Sequence, residues 1–334
     1  MHAADPIKRK RKIIGVLTWL LVLICAPVSL AWLAGSASMI LDLVASMQIQ
    51  ITVVVCLLGC VVLCLRRWHA GCVLLVLAGA GAWPVVSGRT LTIPRIQYDQ
   101  RPDDVLRVVS CNLRPENELW EQAVRSLMDL DADLIILQEI PPELSRGVRL
   151  RGWLDGSDYP WYSIRMAVPG VVTQGLILSR YPLEDVQLAL DPDTEQHLLF
   201  TYVEHPAGRF LAGQFHPRSP RSSDDWHAGN EAVDKQLEAL ASIDPDRVVI
   251  GADLNSAPAQ LRARRVRSSG LRISKPLLRL GGSYPVDAGV PGVLTIEIDG
   301  IWTRGMRTVA WDRIGVLGSD HKAIVTDLRL VPGL

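Results

Sequence analysis

The sequence predicts an α/β domain, in which sheets are covered by helices, preceded by three transmembrane helices. Two observations support this prediction. The N-terminal part of the chain consists of long apolar runs with few charges, whereas residues 104–334 contain short apolar strands mixed with amphipathic helices. Mixed elements of this kind pack as sheets with helices on their outer faces, and about 230 residues suffice for one large domain.

The N-terminal region has the composition of a membrane region. Only three formal charges lie within residues 13–88: Asp42, Arg66 and Arg67. Three apolar runs follow one another, at about residues 13–34, 49–65 and 70–86. Each is close to the roughly 20 residues that a membrane helix needs. A buried helical domain is less favoured, because the rest of the chain can form its own core. A cleavable signal peptide is the alternative for the first run, but two further runs follow it.

Lysine and arginine residues predict the orientation of these spans. Residues 8–12 are all basic, Arg66 and Arg67 lie between the second and third runs, and residues 35–48 contain neither residue type. By the positive-inside rule, residues 1–12 are a basic cytoplasmic N-terminus and residues 13–88 a three-helix membrane region. The rest of the chain is then expected on the periplasmic or extracellular side of the cell membrane.

The charge of the predicted outer part argues against a general nucleic-acid surface. The whole chain has no net charge, but seven of 35 basic and two of 35 acidic residues precede residue 69. The remainder therefore holds 28 basic and 33 acidic residues, a net charge of −5. One local basic cluster, Arg262 to Arg267, is interpreted as a solvated helix face; a nucleic-acid backbone or anionic lipid headgroups are its alternative ligands.

The elements after the membrane region follow in order. Residues 89–103 are polar, contain Pro94 and Pro102, and are typical of an extended linker. Strands are predicted at residues 105–111, 134–137, 175–178, 197–203, 209–215, 247–250, 294–302, 307–311 and 323–328. Helices are predicted at residues 117–130 and 231–243. The aromatic stretch at residues 153–162 is interpreted as a loop.

Polar residues stand at the ends of several of these strands. Glu139 follows a short apolar strand directly, so its carboxylate has little freedom and is suited to a hard cation such as Mg²⁺. Asp253 and Asn255 lie on the same side of an extended chain, where a carboxylate can orient water and an amide can donate to a phosphate oxygen. Asp320 and His321 are consecutive, so one can face a metal and the other a phosphate.

The positions of two further residues, His216 and Asp299, indicate possible roles. His216 ends a predicted strand and precedes Pro217, and on its own it is more typical of a structural histidine than of a catalytic one. Asp299 lies in an alternating strand, where a buried acid needs a partner. An imidazole is the natural partner, because a carboxylate fixes its tautomer and raises its basicity.

The ordered set of motifs resembles the endonuclease/exonuclease/phosphatase (DNase I-like) superfamily over roughly residues 104–331, and the chain looks like a membrane-anchored bacterial member. The motifs are Asn112, Gln138-Glu139, residues 175–182 (GLILSRYP), His216, Asp253-Leu254-Asn255, Ile298-Asp299 and Ser319-Asp320-His321. The resemblance implies a four-layer α/β sandwich of two mixed sheets flanked by helices, with residues 104–334 as the catalytic domain.

The resemblance also implies a metal site. Glu139 is expected to bind the ion, with Asn112 and Asp320 close by, and the expected ion is Mg²⁺, with Mn²⁺ as the alternative. Gly300 departs from the family pattern, since many members have a histidine after the aspartate. This departure puts substrate contacts near that loop in doubt and leaves the rest of the site intact.

The catalytic roles come from the same resemblance. His321, paired with Asp299, is expected to contact or protonate the phosphate. Asp253 is expected to activate water or to assist the leaving group. Asn255 and His216 are expected to bind phosphate oxygens, and no covalent intermediate is expected.

These expectations combine in a membrane-anchored, metal-dependent hydrolase of phosphoric esters, whose partners are the lipid bilayer and a phosphorylated substrate. Three spans and an acidic outer domain favour a lipid-linked phosphate or diphosphate, and similar three-span members are associated with glycopeptide resistance in bacteria. Hydrolysis of extracytoplasmic nucleic acid is the alternative. A catalytically silent envelope sensor or scaffold is the alternative of another class. The sequence does not indicate an oligomeric state.

Overall fold

A computed structural model describes residues 6–99, 101–102, 104–145, 147–165, 174–186, 199–286 and 291–331 of the chain. The described residues form two compact units. The first contains the N-terminal apolar helices and the short segment Ala257–Leu261. The second contains the chain from Gly88 onward, apart from that segment. Part of the predicted basic N-terminus and the start of the strand predicted at residue 197 lie outside the described residues.

The first unit is helical. Its helices are α1 (Pro6–Ser29), α2 (Ala31–Ala34), α3 (Met39–Ala45), α4 (Gln48–Cys64) and α5 (Trp68–Val86). Two stretches, Lys10–Ser29 and Trp68–Val86, are long and apolar enough to cross a membrane. The pair α3 and α4, bent by 67°, makes a third candidate if it counts as one span. Helices α4 and α5 approach closely at Gly71, where an added Cβ would lie 2.6 Å from the Leu63 side chain.

The second unit contains two six-stranded sheets. In spatial order, the first sheet comprises β11 (Met306–Gly315), β12 (Lys322–Leu330), β1 (Val105–Asn112), β2 (Leu134–Gln138), β4 (Gly175–Ser179) and β3 (Trp161–Arg165). Strands β1 and β2 are parallel, and the other neighbours in this sheet are antiparallel.

The second sheet is also mixed. In spatial order it comprises β5 (Leu183–Asp185), β6 (Phe200–His205), β7 (Gly208–Phe215), β8 (Val248–Asp253), β10 (Asp299–Arg304) and β9 (Arg272–Ile273). Here β7 and β8 are the parallel pair, and the other pairs are antiparallel.

Alternation along the strands explains the layering. In β1, Val108 packs in a core with Val249 and Ile301 of the other sheet, whereas Val109 packs in a separate core under helices. The covering helices are α6 (Trp120–Met128), α7 (Pro142–Ser145), α8 (Gly147–Leu154), α9 (Ser223–Ile243) and α10 (Leu261–Ser268). Because both faces of the central strands are buried, these strands are almost continuously apolar. The prediction of two mixed sheets flanked by helices is confirmed.

The segment predicted as a linker has no helix or strand at residues 89–99, but it packs on the second unit. Ile93 and Ile96 are buried in its cores. The carbonyl oxygen of Thr90 accepts a hydrogen bond from the Leu277 amide at 2.9 Å. Such bonds to a distant loop leave no periodic pattern in the sequence.

Several predicted elements have different bounds. The helix predicted at residue 231 begins at Ser223, where the Ser222 hydroxyl accepts from the Asp225 amide at 3.1 Å. Strand β10 begins at Asp299 and not at residue 294, because a 3₁₀ turn occupies Gly292–Leu294. The aromatic stretch predicted to be a loop, residues 153–162, overlaps strand β3, which occupies Trp161–Arg165.

The interpretation of the basic cluster as a solvated helix face is wrong for Arg262. Its side chain is buried, and it donates to Asn230 Oδ1 at 3.0 Å and to the Arg218 carbonyl at 2.7 Å. Arg265 pairs with Asp234 at 2.7 Å. At least these two arginines therefore hold α10 against α9 instead of facing a ligand.

Candidate active site

The strand ends that carry the predicted site residues meet at one end of the sandwich. Asn112 ends β1 beside Gln138 of the parallel strand β2, and Glu139 follows immediately. In the other sheet, Asp253 ends β8 opposite Asp299, which begins the antiparallel strand β10. His321 directly precedes β12, which runs antiparallel to β1. The topology thus brings together residues from distant parts of the sequence.

His321 and Asp299 form a buried pair. His321 Nδ1 lies 2.8 Å from Asp299 Oδ2, and the Tyr284 ring lies 4.7 Å from the imidazole, measured between centroids. Burial alone would lower the pKa of His321, but the charge of Asp299 and its hydrogen bond raise it to about 10. The imidazole is therefore protonated at neutral pH and can donate a proton or bind an anion.

Asp253 is the centre of the cluster. Its Oδ2 accepts from Asn112 Nδ2 at 3.0 Å, and its Oδ1 accepts from the Asn255 amide at 2.8 Å. His216 Nε2 lies 3.7 Å from Oδ2. Burial and the nearby charge of Asp299 raise the pKa of Asp253 above its ordinary value of 3.8. This carboxyl group is thus suited to accept a proton.

Glu139 and His216 link the two sheets. His216 Nε2 lies 3.2 Å from Glu139 Oε1, and Asn255 Nδ2 lies 3.5 Å from the same nitrogen. Glu139 and Asn255 both have left-handed backbones, with φ of 49° and 48°, so each turns sharply after its strand. Burial raises the pKa of Glu139, but the hydrogen bond and charge of His216 hold it below its ordinary value of 4.5.

Asp320 lies at the outer side of the cluster. Its Oδ1 is 4.0 Å from His321 Nε2, and its side chain is 26% exposed, as is that of Glu139. The side chains of Asp253 and Asp299 are only 1% and 2% exposed. Asp320 and Glu139 are therefore the acids of the set that face solvent, whereas the other two are enclosed.

No role was predicted for Ser319, whose hydroxyl connects two parts of the site. Its Oγ donates to the Asn112 carbonyl at 2.7 Å and accepts from the His321 amide at 3.0 Å. The preceding Gly318 has φ of 73°, and an added Cβ would lie 1.9 Å from Asn117 Oδ1. The GSDH motif contains both residues, but only the fold reveals their partners. Tyr284 was also missed, because a lone tyrosine in a loop carries no signal.

Three acidic and imidazole groups could hold a metal ion by distance alone. One ligand atom from each of Asp253, Asp299 and His321 lies within 4.8 Å of the others. Asp299 Oδ1 is buried and has no hydrogen-bond partner among the described residues. However, His321 Nδ1 already bonds Asp299, so an ion bound there would have to replace that hydrogen bond. The oxygen-rich side near Glu139 is better suited to a hard cation.

The end of the sandwich thus carries a polar cluster with a histidine–aspartate pair, a buried carboxyl group and amide donors. The model of the endonuclease/exonuclease/phosphatase family matches residues 110–321, and the chain belongs to this family. The members of this family are hydrolases that act on phosphoester bonds. No curated protein sequence matches the chain significantly.

Solved structures share the fold. An endonuclease/exonuclease/phosphatase from Bacteroides vulgatus is 17% identical, with a TM-score of 0.51 over 68% of this chain and 99% of that chain. A humanised TDP2 of D. rerio with 14 mutations is 16% identical, with a TM-score of 0.51 and the same coverage. An AP endonuclease from Archaeoglobus fulgidus is 13% identical, with a TM-score of 0.50 over 66% and 98% of the two chains. At these identities the likeness shows the fold alone.

Proposed function

We propose that the chain is a membrane-anchored, divalent-metal-dependent phosphoesterase whose catalytic domain works outside the cytoplasm. The buried pair of His321 and Asp299, within hydrogen-bonding distance and next to Asp253, is the observation that carries the catalytic part. It places a protonated imidazole beside a carboxyl group that can accept a proton. Such a pair serves general acid–base chemistry on a phosphate ester.

By the chemistry of their donor atoms, the residues present fit a divalent cation. Carboxylate oxygens of Glu139 and Asp320, with the amide oxygen of Asn112, are the ligands that Mg²⁺ and Mn²⁺ prefer, and the two acids are partly open to solvent. These three residues would hold the ion, which supplies positive charge that polarises a phosphoryl oxygen.

The other residues act directly on the substrate. His321 donates a hydrogen bond to a phosphate oxygen through Nε2, and Asp299 orients the protonated imidazole through Nδ1. Asp253 accepts a proton from the attacking water, since burial raises the pKa of its carboxyl group. His216 and Asn255 hold phosphate oxygens from the opposite side, where their side-chain nitrogens lie 3.5 Å apart.

An apolar surface supports a lipid-linked phosphate or diphosphate as substrate. Leu91, Leu278 and Leu280 are 61%, 57% and 69% exposed, and the Leu278 amide donates to the Leu91 carbonyl at 3.1 Å. Leu280 precedes Tyr284 by four residues, a reach of at most about 14 Å. Because Tyr284 lies against His321, chain connectivity limits how far Leu280 can lie from the site, and we propose that these leucines contact acyl chains.

A substrate panel tests this proposal. The full chain in detergent is assayed with Mg²⁺ on lipid phosphates, lipid diphosphates and plasmid DNA, with Glu139→Ala and His321→Ala as controls. We expect lipid-phosphate hydrolysis that both substitutions abolish. Robust DNA nicking with inert lipids would establish the nuclease instead. If the chain neither binds a divalent metal nor shows an activity that these substitutions abolish, the silent scaffold is established.

Membrane anchoring and orientation are tested separately. The apolar helices support anchoring, and the basic residues at positions 8–12 and 66–67 support a cytoplasmic N-terminus. A reporter fused after Leu334 that fluoresces only in the cytoplasm should give no fluorescence, and a reporter that is active only outside the cytoplasm should be active. Cytoplasmic fluorescence would contradict the orientation.

A further inference from the structure

A cavity lies within the second unit, away from the proposed active site. It has a volume of about 560 Å³, in the range of small-molecule pockets. Four arginines line it: Arg89, Arg272, Arg304 and Arg307. No acidic residue is among its lining residues, and the backbone of Gly88 and three threonines supply further polar groups.

The charges of this cavity are only partly neutralised. Arg89 pairs with the buried Glu297 at 2.5 Å, and Arg304 lies 4.0 Å from Asp244. Arg272 and Arg307 are exposed, and among the described residues their side chains have no ion pair or hydrogen bond. At least two positive charges therefore remain available at the cavity.

Buried donors point to the same conclusion. The Arg89 side chain is 2% exposed, yet its Nε has no hydrogen-bond partner among the described residues, and the same holds for the buried Nε of Arg304. Burial and the positive charges of Arg89 and Arg264 lower the pKa of the neighbouring Arg267 to about 10. A buried donor without a partner is costly, and these two show that the cavity wall holds more donors than nearby acceptors among the described residues.

This cavity is separate from the catalytic end. Strand β10 begins at Asp299 in the catalytic cluster and ends at Arg304 in the cavity, five residues later, so these two residues are about 17 Å apart at ~3.3 Å per residue. Gly88 lies two residues after Val86, the last residue of α5. If α5 spans a membrane, chain connectivity keeps Gly88 near the lipid headgroups.

We propose that the arginine cavity binds a phosphate group, carried by a phospholipid headgroup or by a free phosphate. Guanidinium groups bind phosphate oxygens through paired, charge-assisted hydrogen bonds. The site is independent of the catalytic cluster and of the catalytic proposal. It would hold the domain against an anionic lipid or respond to soluble phosphate.

Calorimetry on the full chain in phosphatidylcholine nanodiscs tests the proposal. The buffer contains a chelator, so that no metal-dependent hydrolysis occurs. The titrants are short-chain phosphatidylglycerol below its micelle concentration, short-chain phosphatidylcholine as a neutral comparison, and inorganic phosphate. The variants are Arg272→Ala and Arg307→Ala, with Arg125→Ala as a matched control, because Arg125 is an exposed arginine of α6 outside the cavity.

We expect wild type and Arg125→Ala to bind phosphatidylglycerol equally, and each cavity variant to bind at least about tenfold more weakly. Binding of phosphatidylglycerol without inorganic phosphate would identify a lipid headgroup site. Equal binding of both would identify a site for phosphate itself. Unchanged affinity in both cavity variants, or an equal loss in Arg125→Ala, would overturn the proposal. Unchanged thermal unfolding of the variants ensures that weaker binding is not a folding defect.

Discussion

Replacing Glu297 with glutamine should destabilise the second unit by about 3 kcal/mol at neutral pH. Glu297 is a buried carboxylate between two cations. Its Oε1 lies 2.5 Å from Arg89 Nη2, and its Oε2 lies 2.5 Å from Lys275 Nζ. The network ties the segment after α5 to the residue two positions before Asp299. The substitution keeps the shape of the side chain and removes its charge.

The magnitude follows from the pKa of Glu297. Burial raises this pKa, but Arg89 and Lys275 lower it from 4.5 to about 2. Each pKa unit corresponds to about 1.4 kcal/mol, and breaking a buried ion pair generally costs about 3–5 kcal/mol. The pKa of Lys275 is lowered, because burial and repulsion by Arg89 outweigh the attraction of the Glu297 carboxylate. The stabilisation is therefore assigned to the carboxylate with its two cations.

The pH dependence has a definite sign. The pKa of Glu297 is lower in the folded state than in the unfolded state. Its contribution to the free energy of unfolding is therefore fully present above about pH 4.5 and is lost as the pH falls towards about 2. The difference in the free energy of unfolding between wild type and Glu297→Gln should be constant near neutral pH. It should shrink progressively below about pH 5.

Urea-dependent hydrogen exchange of the full chain in detergent measures this difference in peptides of β8 and β10. Glu184→Gln is the matched control, because the exposed pair of Glu184 and Arg209 should contribute less than about 1 kcal/mol. A loss below about 1 kcal/mol for Glu297→Gln, or the same loss at pH 3 as at pH 7, would refute the reasoning.

Three further predictions concern catalysis and packing. Asp299→Asn should lower the pKa of His321 from about 10 towards its ordinary 6.5, and the alkaline limb of the activity–pH profile should move to lower pH; an unmoved limb would exclude the pairing. Arg262→Ala should lower stability by at least about 3 kcal/mol, because the substitution leaves buried acceptors unpaired. Arg265→Ala should lower stability by about 1 kcal/mol or less. Equal losses of thermal stability in the two variants would contradict this ranking. Gly318→Ala should cost about 1–3 kcal/mol and reduce activity, because its Cβ would overlap Asn117; wild-type stability and activity would contradict the strained turn.

Much of the site could be predicted because strand ends leave a local pattern. Glu139 and Asp253 follow apolar strands, and the fold places both at the same end of the sandwich. A buried Asp299 was expected to need an imidazole partner, and the family resemblance implied His321; Asp299 Oδ2 and His321 Nδ1 lie 2.8 Å apart. The roles of these residues in catalysis stay predictions. Asp320 was expected near the metal, and its only described link to the cluster is the 4.0 Å distance to His321.

The sequence alone determined what depends on local composition: the apolar helices, the strands with two buried faces and the polar residues that end them. Which distant groups meet depends on the three-dimensional fold. Arg262 is one of several arginines in its helix by sequence, but its contacts with Asn230 bury it. Glu297 and the segment at Arg89 are 208 positions apart, and no periodicity connects them. Their pairing depends on the closure of two sheets around one core, a long-range constraint that neighbouring residues cannot encode.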